Sequence, residues 1–123
     1  MAELLSRDDY QAIADELAFP GNAYINGKFT AARSAETFQT INPATGEVLA
    51  NVASCDADDV DYAVRKARQA FESGVWSKMH PSERKEILIR LVKLIKRHRH
   101  ELTVLESLES GKPVRDIATI DLP

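Results

Sequence analysis

Asn42-Pro43-Ala44-Thr45-Gly46 is the stretch that most narrows what this chain can fold into. An asparagine side chain can bond to the backbone two residues on, and a proline presets φ near about −65° for the first corner of a turn. Gly46 supplies the positive φ that a tight loop needs on its way out. Strand-forming residues lie on both sides, Phe38, Thr40 and Ile41 before the loop and Val48, Leu49 and Val52 after it. The stretch therefore predicts a β-hairpin from Thr37 to Ala53 with a four-residue loop, Pro43 to Gly46.

A second hairpin is expected just upstream. Asn26-Gly27 stands between Tyr24-Ile25 and Phe29-Thr30, a pairing that favours a type I′ turn. Ala31 to Glu36 is small and polar and reads as a connection. Before both hairpins, Ser6 to Phe19 predicts a short helix, with Ser6 and Asp9 spaced as a capping box. Its apolar stripe is Tyr10, Ile13, Ala14 and Leu17, and Pro20-Gly21 ends it.

Beyond the hairpins the period changes from strand to helix. Asp56 can cap a helix running to Ser73, with Asp58, Asp59 and Asp61 placing negative charge where the macrodipole favours it. Its stripe is Val60, Ala63, Val64, Ala67, Ala70 and Phe71, and Gly74 stops it. Trp76 is expected to cover the joint to the next helix. That helix runs from Pro81 to about Arg97, with a wide apolar face of Ile87, Leu88, Leu91, Val92, Leu94 and Ile95. Glu101 to Ser110 predicts another helix, closed by Gly111 and Pro113, and Pro113 to Ile120 one short helix more. The fold class is α+β, short antiparallel strands followed by three to four helices. Residues 1–20 form an N-terminal helical arm laid on the body, residues 21–123 the domain proper.

Composition excludes several functions. With 123 residues the chain can bury a core. A net charge of −3 argues against a nucleic-acid partner. The acidic N-terminus lacks the pattern of a secretory signal, and no run reaches the roughly 18 apolar residues of a membrane span, so a cytoplasmic, membrane-free protein is expected. A lone Cys55 rules out an internal disulfide and a thiolate cluster.

Catalytic motifs are sparse. Five scattered glycines build no phosphate loop, and no GxSxG or SxxK frames a serine. His98 and His100 are two apart and diverge on a helix. Asp56, Asp58 and Asp59 beside Cys55 disfavour a thiolate. The basic run from Lys93 to His100 reads as a solvated helix face, and Glu106 and Glu109 can share a face near Lys112.

The order of motifs resembles the aldehyde dehydrogenase superfamily. Tyr24-Ile25-Asn26-Gly27 is similar to its opening strand, and Ile41-Asn42-Pro43-Ala44-Thr45-Gly46-Glu47-Val48 to its "NPATGE" hairpin. Asp59 to Val64 with Ala67 to Phe71 resembles its first helix, and Trp76 the tryptophan that follows. Pro81-Ser82-Glu83-Arg84 and Leu105 to Pro113 match two later signatures. The N-terminal helix and Asp121-Leu122-Pro123 look most like the branch that oxidises γ-glutamyl-γ-aminobutyraldehyde in putrescine breakdown.

The resemblance implies the N-terminal portion of a Rossmann-like NAD(P)-binding domain in a much longer parent. There a cysteine attacks the aldehyde, hydride passes to NAD or NADP, and a glutamate activates the water that releases the carboxylate. The family places those residues, and its oligomer interface, downstream of residue 123. The expectation is thus no catalytic or cofactor-binding residue in this chain, no NAD bound to it alone, and no activity by itself. The implied partners are the remainder of the parent chain and further copies in a homodimer or homotetramer. One family site falls inside the chain: a monovalent cation, Na or K, on the carbonyls of Thr40 and Ile41 and the side chain of Glu109, where members usually carry the shorter Asp. The alternative is a non-enzymatic helical interaction module from a truncated gene, burying the wide apolar face at Ile87 to Ile95 on another chain.

Overall fold

The computed structural model describes residues 4–122. Helix α1 spans Arg7–Glu16; Ser6 caps it, and its side chain and that of Asp9 satisfy each other's backbone N–H groups in the expected capping box. The helix ends before the predicted Phe19: Leu17 is already extended, at φ −66° and ψ 127°. A proline disfavours helical geometry in the residue before it, so Pro20 bars the predicted continuation to Phe19.

Strands β1 (Ala23–Ile25) and β2 (Lys28–Thr30) pair antiparallel, with Tyr24 opposite Phe29. Their turn is the predicted one, with φ of 53° at Asn26 and 79° at Gly27. The two aromatic rings meet edge to face at 5.2 Å. Strands β3 (Thr37–Ile41) and β4 (Val48–Ala53) form a separate two-stranded sheet. Each is one residue shorter at the loop than predicted, because Asn42 and Glu47 belong to the turn: the Asn42 N–H donates to the Glu47 carbonyl at 2.9 Å.

Helix α2 spans Ala57–Ser73, α3 Pro81–Arg97 and α4 Arg99–Ser110. Only His98 separates α3 from α4, so α4 begins two residues earlier than the apolar pattern implied. Helix α5 is a single turn, Val114–Asp116, and it passes into a π-helical turn at Ile117–Asp121 where the sequence predicted one ordinary short helix.

The chain forms two compact units. One comprises the residues up to Phe19, Thr40–Ala50 and the residues from Val92 onward. In it α1 packs on α4, and α4 packs on α5 and the π-helical turn. Tyr10, Ile13 and Ala14 on α1 and its C-cap Leu17, the predicted stripe, are half-buried. Its core is Val104, Ile117 and Ala118, together with Thr103, whose hydroxyl donates to the Arg99 carbonyl at 2.7 Å.

The other unit comprises Pro20–Gln39 and Asn51–Leu91. Gly21 lies against β4: its carbonyl accepts from Ala53 N–H at 2.7 Å, and a Cβ on it would sit 1.9 Å from the Asn51 carbonyl oxygen. The buried residues here are Ala32, Asp59 and Gly74. Most of the apolar stripes of the long helices stay exposed, with Ala63 and Ile87 half-buried. Val60, Val64 and Phe71 on α2 and Leu88, Leu91, Val92 and Leu94 on α3 are all exposed, and Trp76 is 41% exposed rather than sealing a joint.

Candidate functional site

The Asn-Pro turn is built around a buried asparagine. Asn42 is 8% exposed, and all three of its turn-forming groups are used. Its Oδ1 accepts from Ala44 N–H at 2.9 Å, its carbonyl accepts from Gly46 N–H at 2.8 Å, and its own N–H goes to Glu47. A buried polar side chain persists only when it is hydrogen-bonded in this way. Gly46 closes the loop at φ 78°.

The end of α4 meets this turn. Gly111 follows the helix in the left-handed conformation at φ 74°, with its N–H on the Ser107 carbonyl. A Cβ at Gly111 would lie 2.9 Å from the Pro43 ring, so a glycine lets the helix end approach the turn. Thr40 and Ile41 precede that turn and Glu109 precedes Gly111, and all three belong to the same compact unit. Thr40 is half-buried, whereas Ile41 and Glu109 are exposed.

Glu109 and Glu106 line a cavity of about 380 Å³ together with Leu102, Leu105, Ile117 and Asp121. The two glutamates do share a face, as their spacing indicates. Lys112 pairs with neither: its Nζ donates to Asp121 Oδ2, tying the π-helical turn to the segment after α4. Ser107 Oγ donates to the Lys112 carbonyl at 2.8 Å and supports that segment from the helix. A second cavity, of about 400 Å³, opens between α1 and α4, with α5 completing its wall.

The other candidates behave as surface groups. Cys55 is a free, exposed thiol between β4 and the cap of α2. His98 pairs with Glu101, while the His100 ring lies edge-on to Tyr10 at 6.3 Å, so the two imidazoles diverge. Lys93, Lys96 and Arg97 are exposed. Among the described residues no three His, Cys, Asp or Glu side chains are grouped to hold a metal ion. No helix among them is long and apolar enough to cross a membrane.

One polar group exceeded what its position in sequence suggested. Asp59, read as one of several acids favouring a helix start, is 5% exposed. It serves as the N3 partner of Asp56 and also accepts the Arg33 N–H. The Asp-x-x-Asp spacing signals the first role; nothing in the sequence signals a partner 26 residues away.

The sequence pattern of the aldehyde dehydrogenase family matches residues 29–123. The chain belongs to that family. It is 54% identical over all 123 residues to an aminoacetaldehyde dehydrogenase of Pseudomonas aeruginosa, of which it covers 25%. It is 41% identical over 114 residues to the NADP/NAD-dependent aldehyde dehydrogenase PuuC of Escherichia coli, covering 23% of it. The backbone is similar to that of a P. syringae AldA indole-3-acetaldehyde dehydrogenase mutant in complex with NAD+ and IAA, with TM-score 0.93, 46% identity, and coverage of 98% of this chain and 24% of that one. It is equally similar to γ-glutamyl-γ-aminobutyraldehyde dehydrogenase from Burkholderia cenocepacia, with TM-score 0.93, 42% identity, and coverage of 97% and 24%. The chain thus spans about a quarter of the length of these relatives. Its hairpins and helices are those of the N-terminal part of an aldehyde dehydrogenase.

Proposed function

We propose that this chain is the N-terminal part of the cofactor-binding domain of a cytoplasmic, NAD(P)-dependent aldehyde dehydrogenase that converts an aldehyde, an aminoaldehyde among them, to a carboxylate. The observation that carries this reading is the 54% identity over the whole chain to an aminoacetaldehyde dehydrogenase. Residues 1–20 are an arm and 21–123 belong to the domain; their role is to scaffold. The remainder of an aldehyde dehydrogenase chain covers the exposed faces of α2 and α3, and the complete protein assembles as a homodimer or homotetramer. Each exposed leucine, valine or phenylalanine covered in this way stabilises the assembly by about 1.5–3 kcal/mol. The test is an assay with NAD or NADP and aminoacetaldehyde. The 123-residue chain should give no turnover above background, and the same chain continued through the family's length should oxidise the aldehyde. Turnover by the short chain, or none by the long one, would refute the reading.

The donor set before the Asn-Pro turn and at the end of α4 suits a hard monovalent cation. Two main-chain carbonyls, of Thr40 and Ile41, and one carboxylate, of Glu109, are oxygen ligands with little net charge, the chemistry that Na or K takes rather than zinc. We place that ion between the end of β3 and the end of α4, where it would add to the Gly111–Pro43 contact. Titration with KCl against the bulky chloride of tetramethylammonium should raise the melting temperature of the wild type and leave Glu109→Ala unchanged.

A second reading rests on the uncovered apolar faces: a non-enzymatic helical module that buries them on another protein. A monodisperse monomer that binds no hydrophobic dye would remove it.

A further inference from the structure

The cavity between α1 and α4 has a composition that the scaffold role does not use. At about 400 Å³ it falls within the size range of small-molecule sites. Its wall is largely apolar, with Ala14 from α1, Val104 and Leu108 from α4, and Val114 from α5. Two arginines line it as well, Arg7 at the first position of α1 and Arg115 in α5. Among the described residues neither has a carboxylate within 4.0 Å.

The other polar side chains of the wall each make a hydrogen bond within the chain. Tyr10 Oη accepts from Leu5 N–H at 3.3 Å, Gln11 Nε2 donates to Asp15 at 2.9 Å, and Ser107 Oγ is on the Lys112 carbonyl. Asp8 and Asp9, the acids in the first turn of α1, are not part of the lining, and Asp9 is held by Ser6. What is left is a largely apolar wall with two arginines, and among the described residues no acid lines it. The positive end of α1 adds to the same field.

We propose that this cavity binds a small carboxylate with an apolar body, of the kind a medium-chain fatty acid provides. The body displaces water from Ala14, Val104, Leu108 and Val114, and the carboxylate takes charge-assisted hydrogen bonds from Arg7 and Arg115. Both guanidiniums are exposed, so the ion pairing is screened and the dissociation constant lies at about 0.1–1 mM. None of Thr40, Ile41 and Glu109 lines this cavity, so the inference stands apart from the cation site and from the reading of the family's chemistry.

The test uses hexanoate, hexanol and acetate in calorimetric titrations of the full chain, with a crystal soaked in 6-bromohexanoate to locate the ligand. Hexanoate should saturate, hexanol should bind about tenfold more weakly, and acetate should not saturate. The Arg7→Ala/Arg115→Ala double variant, altered only at exposed side chains, should lose about tenfold in affinity for hexanoate and nothing for hexanol. Ala14→Leu, which fills the wall from the helix side, should abolish binding of both. Bromine density between α1 and α4 would support the assignment. Bromine density elsewhere, or a double variant that binds hexanoate like the wild type, would overturn it.

Discussion

The Arg33 backbone N–H donates to both carboxylate oxygens of Asp59, at 3.3 and 3.4 Å. The same carboxylate accepts the Asp56 N–H at 3.2 Å, so one buried side chain holds a loop and a helix start together. Removing it leaves those N–H groups without their acceptor. Asp59→Ala should cost about 1–3 kcal/mol in urea unfolding, and Asp59→Asn less. Arg33→Ala keeps the donating N–H and loses the guanidinium's 3.9 Å approach to Asp59 and its place over the Tyr62 ring at 5.6 Å, both at a half-exposed side chain, so it should cost under about 1 kcal/mol. Equal losses for Asp59→Ala and Arg33→Ala would show that the side-chain ion pair, not the backbone bond, matters.

Gly111 and Gly46 have nearly the same backbone, at φ 74° and 78°, but different surroundings. Open space surrounds Gly46, whereas the Pro43 ring faces Gly111. Gly46→Ala should destabilise by about 1–2 kcal/mol, the cost of a left-handed alanine. Gly111→Ala should cost more, because the turn must also move away. Thermal melts of the two variants side by side check the order.

Ala35 already occupies the left-handed region, at φ 59°, in a turn closed by its N–H on the Ala32 carbonyl at 2.9 Å. Glycine relieves the strain but carries more unfolded-state entropy. The net effect of Ala35→Gly should be a gain of about 0.5 kcal/mol. Ala35→Val should lose stability, since a branched Cβ worsens the same clash. A higher melting midpoint for the valine variant would contradict the strain argument.

Cys55 is exposed and has no structural partner to lose. It should react fully with a thiol reagent in the native state, and Cys55→Ser should change stability by less than about 0.5 kcal/mol. In the complete aldehyde dehydrogenase the same variant should retain full turnover, since Cys55 is not the proposed nucleophile.

Leu88 and Leu91 are each 51% exposed on α3. Replacing both with lysine should lower hydrophobic-dye binding and self-association of the short chain while leaving its helical circular dichroism intact. In the complete protein the same pair should be damaging, by about 1.5–3 kcal/mol for each leucine denied its burial. Harmless lysines in the complete protein would mean that nothing covers this face.

Much of the fold was legible because its signals are short-range. Ser6 with Asp9 and Asp56 with Asp59 mark helix starts, and each box closes within three residues. Asn26-Gly27 forces a tight turn through its own dihedral angles. The errors lie where a neighbour decides. Pro20 shortened α1, and the apolar pattern of α4 concealed its start because Arg99 and His100 are polar yet helical. The π-helical turn at Ile117–Asp121 carries no sequence mark of its own; Ile117 and Ala118 are buried there against α4. For the candidate sites, the order of Thr40, Ile41 and Glu109 could be read from motifs. The cavity lined by Arg7 and Arg115 could not, because its two arginines are far apart in the chain.

The sequence by itself determined the turns, caps and helical faces, since each depends on dihedral preferences and hydrogen bonds within a few residues. Tertiary structure alone decided that Asp59 is buried under Arg33, that Gly111 faces Pro43, and that α1 leaves room beside α4. Those outcomes depend on which elements come within contact distance. That is set by the packing of whole faces, and on α2 and α3 those faces stay open in this chain.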